Sequence, residues 1–142
     1  ALIAASREDQ IYQCAIAGAA VSDMRMQLNY YRYQLSGSQK ISQLNYRDGA
    51  VNPIDVADKV NIPLLIVHGE SDQRVPLEHF DKYTGALDRA GINYKKLVLE
   101  GADHFSSTLF YHHKMSLYEN LLAFLADDCG LKSDSSSLAV SD

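Results

Sequence analysis

Two residues stand where proton chemistry is commonly placed: Asp72 and His104. Asp72 lies in the polar turn Gly69-Glu70-Ser71-Asp72-Gln73, directly after the unbroken apolar run Leu64–Val67. His104 closes the segment Glu100–His104, which follows a second strand-like run, Tyr94–Leu99. A carboxylate that holds an imidazole in one tautomer, and an imidazole that takes a proton from a hydroxyl, are two parts of a nucleophilic triad. One chain order for that triad is Ser, then Asp, then His, and the last two members occur here in that order. Each residue alone has a plainer reading: Asp favours turns, and a loop histidine is common on surfaces.

The nucleophile is the member to look for. A serine on a sharp strand-to-helix turn needs small neighbours, as in G-x-S-x-G. Only Ser71 has a glycine two positions before it, but Gln73 stands where the second glycine belongs. Asp72 is its immediate neighbour, which leaves no space for an imidazole between them, so Ser71 reads as a turn residue. The other histidines offer less. His68 ends an apolar run and reads as a hydrogen-bonded core residue, while His79, His112 and His113 fall on predicted helices. None has the spacing of a metal-ligand set, and no cofactor is expected.

The elements that must position Asp72 and His104 follow from apolar patterning. Ile62–Val67 is introduced by Pro63 and closed by Gly69, and reads as a strand buried on both faces of a parallel sheet. Asn93–Leu99 is a second strand, and Gln13–Val21, small and apolar, a third. Ala1–Glu8 reads as the end of a helix and Met24–Leu35 as a full one, followed by the polar, turn-rich stretch Ser36–Val51. Asn52 is placed to cap a short helix with Pro53 in its first position. Leu77–Ala90 is amphipathic through Leu77, Phe80, Thr84 and Leu87, and Gly91 stops it. A last helix runs from about Thr108 to Cys129, with Tyr111, Met115, Tyr118, Leu122 and Leu125 as its expected buried stripe. Strands alternating with helices give an α/β fold, a parallel sheet with helices on its faces. In that architecture the carboxyl ends of the strands carry the chemistry, and both Asp72 and His104 lie there. Residues 1–130 form one domain on this reading, and Lys132–Asp142, rich in Ser and Asp, a disordered tail.

Composition is that of an ordinary globular domain, 46% apolar and 22% charged in 142 residues. A net charge of −5 without a basic stripe argues against a nucleic-acid partner, and no apolar run approaches membrane-spanning length. Cys14 and Cys129 are far apart and show no metal or redox spacing. They read as two buried thiols, and nothing in the sequence chooses between cytoplasm and periplasm. The opening ALIAASREDQ, with no Met and no capping residue, reads as cut from something longer.

The stretches P-L-L-I-V-H-G-E-S-D-Q-R-V-P, G-A-D-H and A-I-A-G-A-A-V-S-D resemble the prolyl oligopeptidase family of serine peptidases, over about Ala1–Gly130. The resemblance implies the carboxyl-terminal part of an α/β-hydrolase catalytic domain, beginning just after the nucleophile elbow. It implies Asp72 as triad acid, His104 as triad base, and Arg74, Val75, Met24 and Tyr31 as residues that bind a peptide substrate. It also implies the rest of the catalytic domain and an amino-terminal propeller as partners in a longer protein. The sequence departs from the family pattern at Met24, where an aromatic residue is usual, at Gln27, where a tyrosine is usual, and at Phe105, where glycine often follows the histidine.

Three functions fit. The first is a peptidase fragment that is inactive alone, because the serine is missing. The second is a fragment of a carboxylesterase or lipase-like hydrolase, and the third a non-catalytic interaction domain of the same fold. The strand around Ala15–Val21 would lack a neighbour on one side, and carries no charge to deter pairing. Self-association of the chain is the expected result.

Overall fold

The computed structural model describes residues 1–9, 11–34, 36–39, 42, 51–104 and 108–130. Three parallel strands, β1 (Ala15–Gly18), β2 (Leu64–Gly69) and β3 (Lys95–Leu99), form one sheet in the order β1-β2-β3. Ala15 lies opposite Leu64 in one pair, and Leu65 opposite Lys95 in the other. Among the described residues the frame is completed by the helices α1 (Met24–Tyr30), α2 (Glu78–Ala90) and α3 (Tyr111–Asp127). This is the expected α/β arrangement, a parallel sheet flanked by helices.

The central strand explains the layers. All six residues of β2 are buried, and successive side chains point to opposite faces. Leu64 and Ile66 pack with Ala15, Ala17, Phe80, Tyr83 and Leu87, which seats α2 on one face. Leu65 and Val67 pack with Leu99, Ala102, Phe124 and Cys129, which seats α3 on the other. Burying each large side chain in these two layers contributes about 1.5–3 kcal/mol. Among the described residues β3 is an edge strand: Lys95 and Lys96 are exposed, and Val98 is 41% exposed.

Several elements are shorter than the sequence suggests. Ala1–Glu8 contains only a 3-10 turn at Ala4–Ser6. Met24 starts α1 as expected, with the Asp23 carboxylate accepting the Arg25 amide at 2.8 Å as its cap, but the helix ends at Tyr30. Pro53–Lys59 is a 3-10 segment in which Asn52 makes no cap bond. The Asn52 Oδ1 instead accepts the Met24 amide at 2.9 Å and ties this segment to α1. Most of the surface excursion over 36–51 and the tail over 131–142 lie outside the described residues.

Two expectations are overturned. On α3 the stripe Tyr111, Met115, Tyr118 and Leu122 faces outward, at 40–78% exposure. The packed face is His113, Leu117, Leu121 and Phe124, with Leu125 partly buried. Both sets repeat at helical spacing, so the period alone could not choose between them. The two cysteines are not thiols. Cys14 and Cys129 form a disulfide with a Cα–Cα distance of 5.4 Å, across 115 positions of sequence. The cause is the packing of α3 on the sheet, which returns the end of the chain to the entrance of β1.

Candidate active site

The carboxyl ends of β2 and β3 approach so closely that Gly69 has no room for a side chain. A Cβ there would lie 2.5 Å from the Ala102 carbonyl oxygen. The two loops are then sewn together by backbone bonds: Glu70 N–H to Leu99 O at 3.0 Å and Ser71 N–H to Ala102 O at 2.9 Å. The Glu70 carboxylate accepts the Gly101 amide at 2.9 Å. Ser71 is an exposed turn residue in this seam.

This frame brings Asp72 and His104 together. The Asp72 Oδ2 accepts a hydrogen bond from His104 Nδ1 at 2.8 Å. The Asp72 side chain is fully buried, while that of His104 is 30% exposed. The other carboxylate oxygen, Oδ1, accepts the backbone amides of Arg74 and Val75, each at 2.8 Å. Three donors therefore converge on one buried carboxylate and fix its rotamer. With Nδ1 protonated toward Asp72, the lone pair of the His104 ring belongs to Nε2. His68 is the core histidine its position suggests: its Nε2 donates to the Val75 carbonyl at 2.8 Å and stands 3.6 Å from Asp72 Oδ2.

Asp103, which no pattern in the sequence singles out, clasps the two loops. Its Oδ1 accepts the His104 amide at 2.7 Å and the Gln73 amide at 3.2 Å. Those backbone donors, His104 first, hold its carboxyl below the usual carboxylate range.

Beside His104 opens a pocket of about 300 Å³, lined by Gln27, Tyr31, Arg74, Val75 and His104. Tyr31, Arg74 and Val75 are thus brought to the histidine. Met24 heads α1 and does not line this pocket among the described residues. The Arg74 carbonyl accepts from Gln27 Nε2 at 2.7 Å and from Tyr31 Oη at 2.9 Å. On another side of His104 is a mostly apolar cavity of about 410 Å³, bordered by Ile16, Gly18, Leu99, Leu109 and Leu117. Ala19, at the end of β1, lines it in the left-handed region at φ 46°, a conformation uncommon for a non-glycine residue. Among the described residues no group of His, Cys, Asp or Glu could hold a metal ion, and no helix is long and apolar enough to cross a membrane.

Chemically, the arrangement is an imidazole held by a buried carboxylate at the mouth of a pocket. The prolyl oligopeptidase family model matches residues 1–132. Dipeptidyl peptidase family member 2 of Caenorhabditis elegans is 28% identical over 127 residues, 89% of this chain and 15% of that protein. A rat protein (Rattus norvegicus) called inactive dipeptidyl peptidase 10 is 26% identical over 121 residues, 84% of this chain and 15% of its own length. The chain therefore spans about 15% of these relatives. Among solved structures, an acylaminoacyl peptidase of Pyrococcus horikoshii superposes with a TM-score of 0.75 at 20% identity, over 89% of this chain and 21% of that one. Dipeptidyl peptidase 4 of Porphyromonas gingivalis gives 0.67 at 25% identity, over 89% and 18%.

Proposed function

The chain belongs to the prolyl oligopeptidase family, and on that premise we propose that Asp72 and His104 are the acid and base of a serine peptidase triad whose serine comes from outside residues 1–142. The observation that carries the reading is the 2.8 Å bond from His104 Nδ1 to the buried Asp72 carboxylate. That bond leaves Nε2 as the atom that takes the serine proton during attack on the peptide carbonyl. The same nitrogen then returns the proton to the leaving amine. Asp72 stays ionised throughout and stabilises the imidazolium. Tyr31 and Val75 wall the substrate pocket, and Arg74 contacts the peptide. The apolar cavity bordering His104 on its other side is where the serine-bearing segment approaches. The rest of the catalytic domain and an amino-terminal propeller complete the longer protein. Residues 1–142 alone hydrolyse nothing at an enzymatic rate, because acyl transfer then lacks the nucleophile and its share of the oxyanion hole.

The test uses the longer protein with dipeptidyl and aminoacyl nitroanilides and a serine-directed phosphonate probe. Turnover with single-site labelling, abolished by His104→Ala, is the expected result. Unchanged turnover in that variant refutes the assignment. A second reading, a non-catalytic member of the same fold, is favoured by the 26% identity to a relative whose name calls it inactive. It predicts no labelling of any serine and no effect of His104→Ala on whatever partner the protein binds.

A further inference from the structure

Behind the pocket lies a second buried histidine that the triad does not use. His79, in the first turn of α2, has no exposed surface, and neither does Ser22 beside it. The His79 Nδ1 accepts the Ser22 amide at 3.2 Å, with the Asp23 amide at 3.4 Å. The Ser22 hydroxyl, also 3.2 Å from Nδ1, donates to the His79 carbonyl at 2.9 Å. A backbone N–H cannot reverse its role, so Nδ1 is an acceptor and the ring proton sits on Nε2. That Nε2 lies 2.7 Å from Gln27 Oε1. The bond decides which way the Gln27 amide faces: its oxygen is turned to His79, and its nitrogen to the Arg74 carbonyl at 2.7 Å. A flipped amide would set one acceptor against another at Arg74 and one donor against another at His79.

The result is a chain of hydrogen bonds with a fixed sense, from the Ser22 amide through His79 and Gln27 to the Arg74 carbonyl. An amide nitrogen has two hydrogens. Arg74 takes one, which leaves the other on a side chain that lines the pocket with Tyr31, Val75 and His104. We infer that His79 is a positioning residue that locks Gln27 as a hydrogen-bond donor in the wall of the substrate pocket, so that the pocket selects peptides whose side chain before the scissile bond carries a hydrogen-bond acceptor. This rests on the peptidase reading of the site. The groups facing His79 are His68 on β2, Asp23 at the start of α1, and Glu78 and Lys82 on its own helix. Burial, aided by His68, pushes its pKa down to about 4, so the neutral ring and the orientation it imposes persist at neutral pH. A donor in the pocket wall that a bound side chain covers and leaves without a partner penalises an apolar isostere of the same shape.

Asn and Leu are nearly the same shape and differ in that acceptor. The experiment measures binding of Ala-Ala-Asn and Ala-Ala-Leu to the longer protein by calorimetry, and turnover of the matching nitroanilides. The expected preference for Asn is about tenfold or more in Kd and kcat/KM. Gln27→Leu should erase it. His79→Phe should reduce it at least severalfold, and His79→Gln, whose amide can still donate to Gln27, should restore it. Rescue by Gln separates positioning from mere packing, and Gln27→Leu gives an answer even where His79→Phe fails to fold. Equal affinity for the two peptides in the unaltered protein overturns the inference, as does a preference that survives Gln27→Leu. Asn-selective binding without turnover overturns the peptidase reading and leaves the pocket assignment standing.

Discussion

Replacing Asp72 separates what holds the site from what runs it. In Asp72→Asn the amide oxygen can keep both bonds from the Arg74 and Val75 amides, now at 2.8 Å each. The amide nitrogen must then face His104 Nδ1, where a carboxylate oxygen accepts at 2.8 Å. Two donors cannot share that contact, so the imidazole shifts its proton to Nε2 and Nδ1 becomes the acceptor. All three bonds survive in count but lose the assistance of the carboxylate charge, and because that charge no longer has to be buried the net loss is about 1–2 kcal/mol. Asp72→Ala removes the acceptor altogether. Two backbone amides, one buried and one partly buried, lose their partner, at about 1–3 kcal/mol each, so the total is about 2–6 kcal/mol. Urea unfolding of the chain should therefore rank Asn well above Ala. Turnover in the longer protein should rank them together, because the wrong tautomer at Nε2 costs on the order of 10⁴ in kcat. An Asn variant as unstable as Ala, or one that keeps its turnover within tenfold, would refute the reasoning.

Other outcomes follow from the same contacts. Gly69→Ala places a methyl 2.5 Å from the Ala102 oxygen, so the loop seam must part. A loss of about 1–3 kcal/mol in urea unfolding is expected, together with weaker pairing of Asp72 and His104. His79 titrates at about 4 in the folded chain, against 6.5 in the unfolded one. Its stabilising share is present above pH 6.5 and is lost as pH falls toward 4, by on the order of 2–3 kcal/mol. Midpoints measured from pH 7 to pH 4 should fall less steeply in His79→Gln than in the unaltered chain. Among the described residues β1 pairs on one side only, with β2, and the outward stripe of α3 is apolar, so the 142-residue chain should self-associate. Light scattering over a concentration series checks this, and a constant monomer mass would exclude it.

The sequence made the central part of this fold readable because β2 is buried on both faces and bounded by Pro63 and Gly69. Two loops leaving adjacent parallel strands had to share one end of the sheet, so Asp72 and His104 were bound to be neighbours. α2 was legible through Phe80, Thr84 and Leu87, though His79 and Tyr83 share that buried face and were not foreseen. A polar residue gives no periodic signal of burial, and only the Ser22 amide and Gln27 explain why a histidine is tolerated there. The α3 stripe failed for the opposite reason. Apolar residues occur nearly all around that helix, and the sheet contacts decided which side turned inward. The disulfide could not be read at all, since two cysteines at this separation become neighbours only through the tertiary path of the chain.

That disulfide makes most of the molecule a covalent ring. α1, the Asp72 turn, α2 and the His104 loop all lie between Cys14 and Cys129. The bridge sits at the entrance of β1, away from the strand ends that carry the site. A single nick by a protease inside the ring would leave both pieces joined, with Asp72 and His104 still linked through the backbone or through the bridge. Two lesions, a cut and a reduction, are needed to part them. Fragments should therefore run as one species on a gel without reductant and separate only when it is added. A bridge of this kind persists where thiols are not kept reduced, which argues for an oxidising compartment over the cytoplasm.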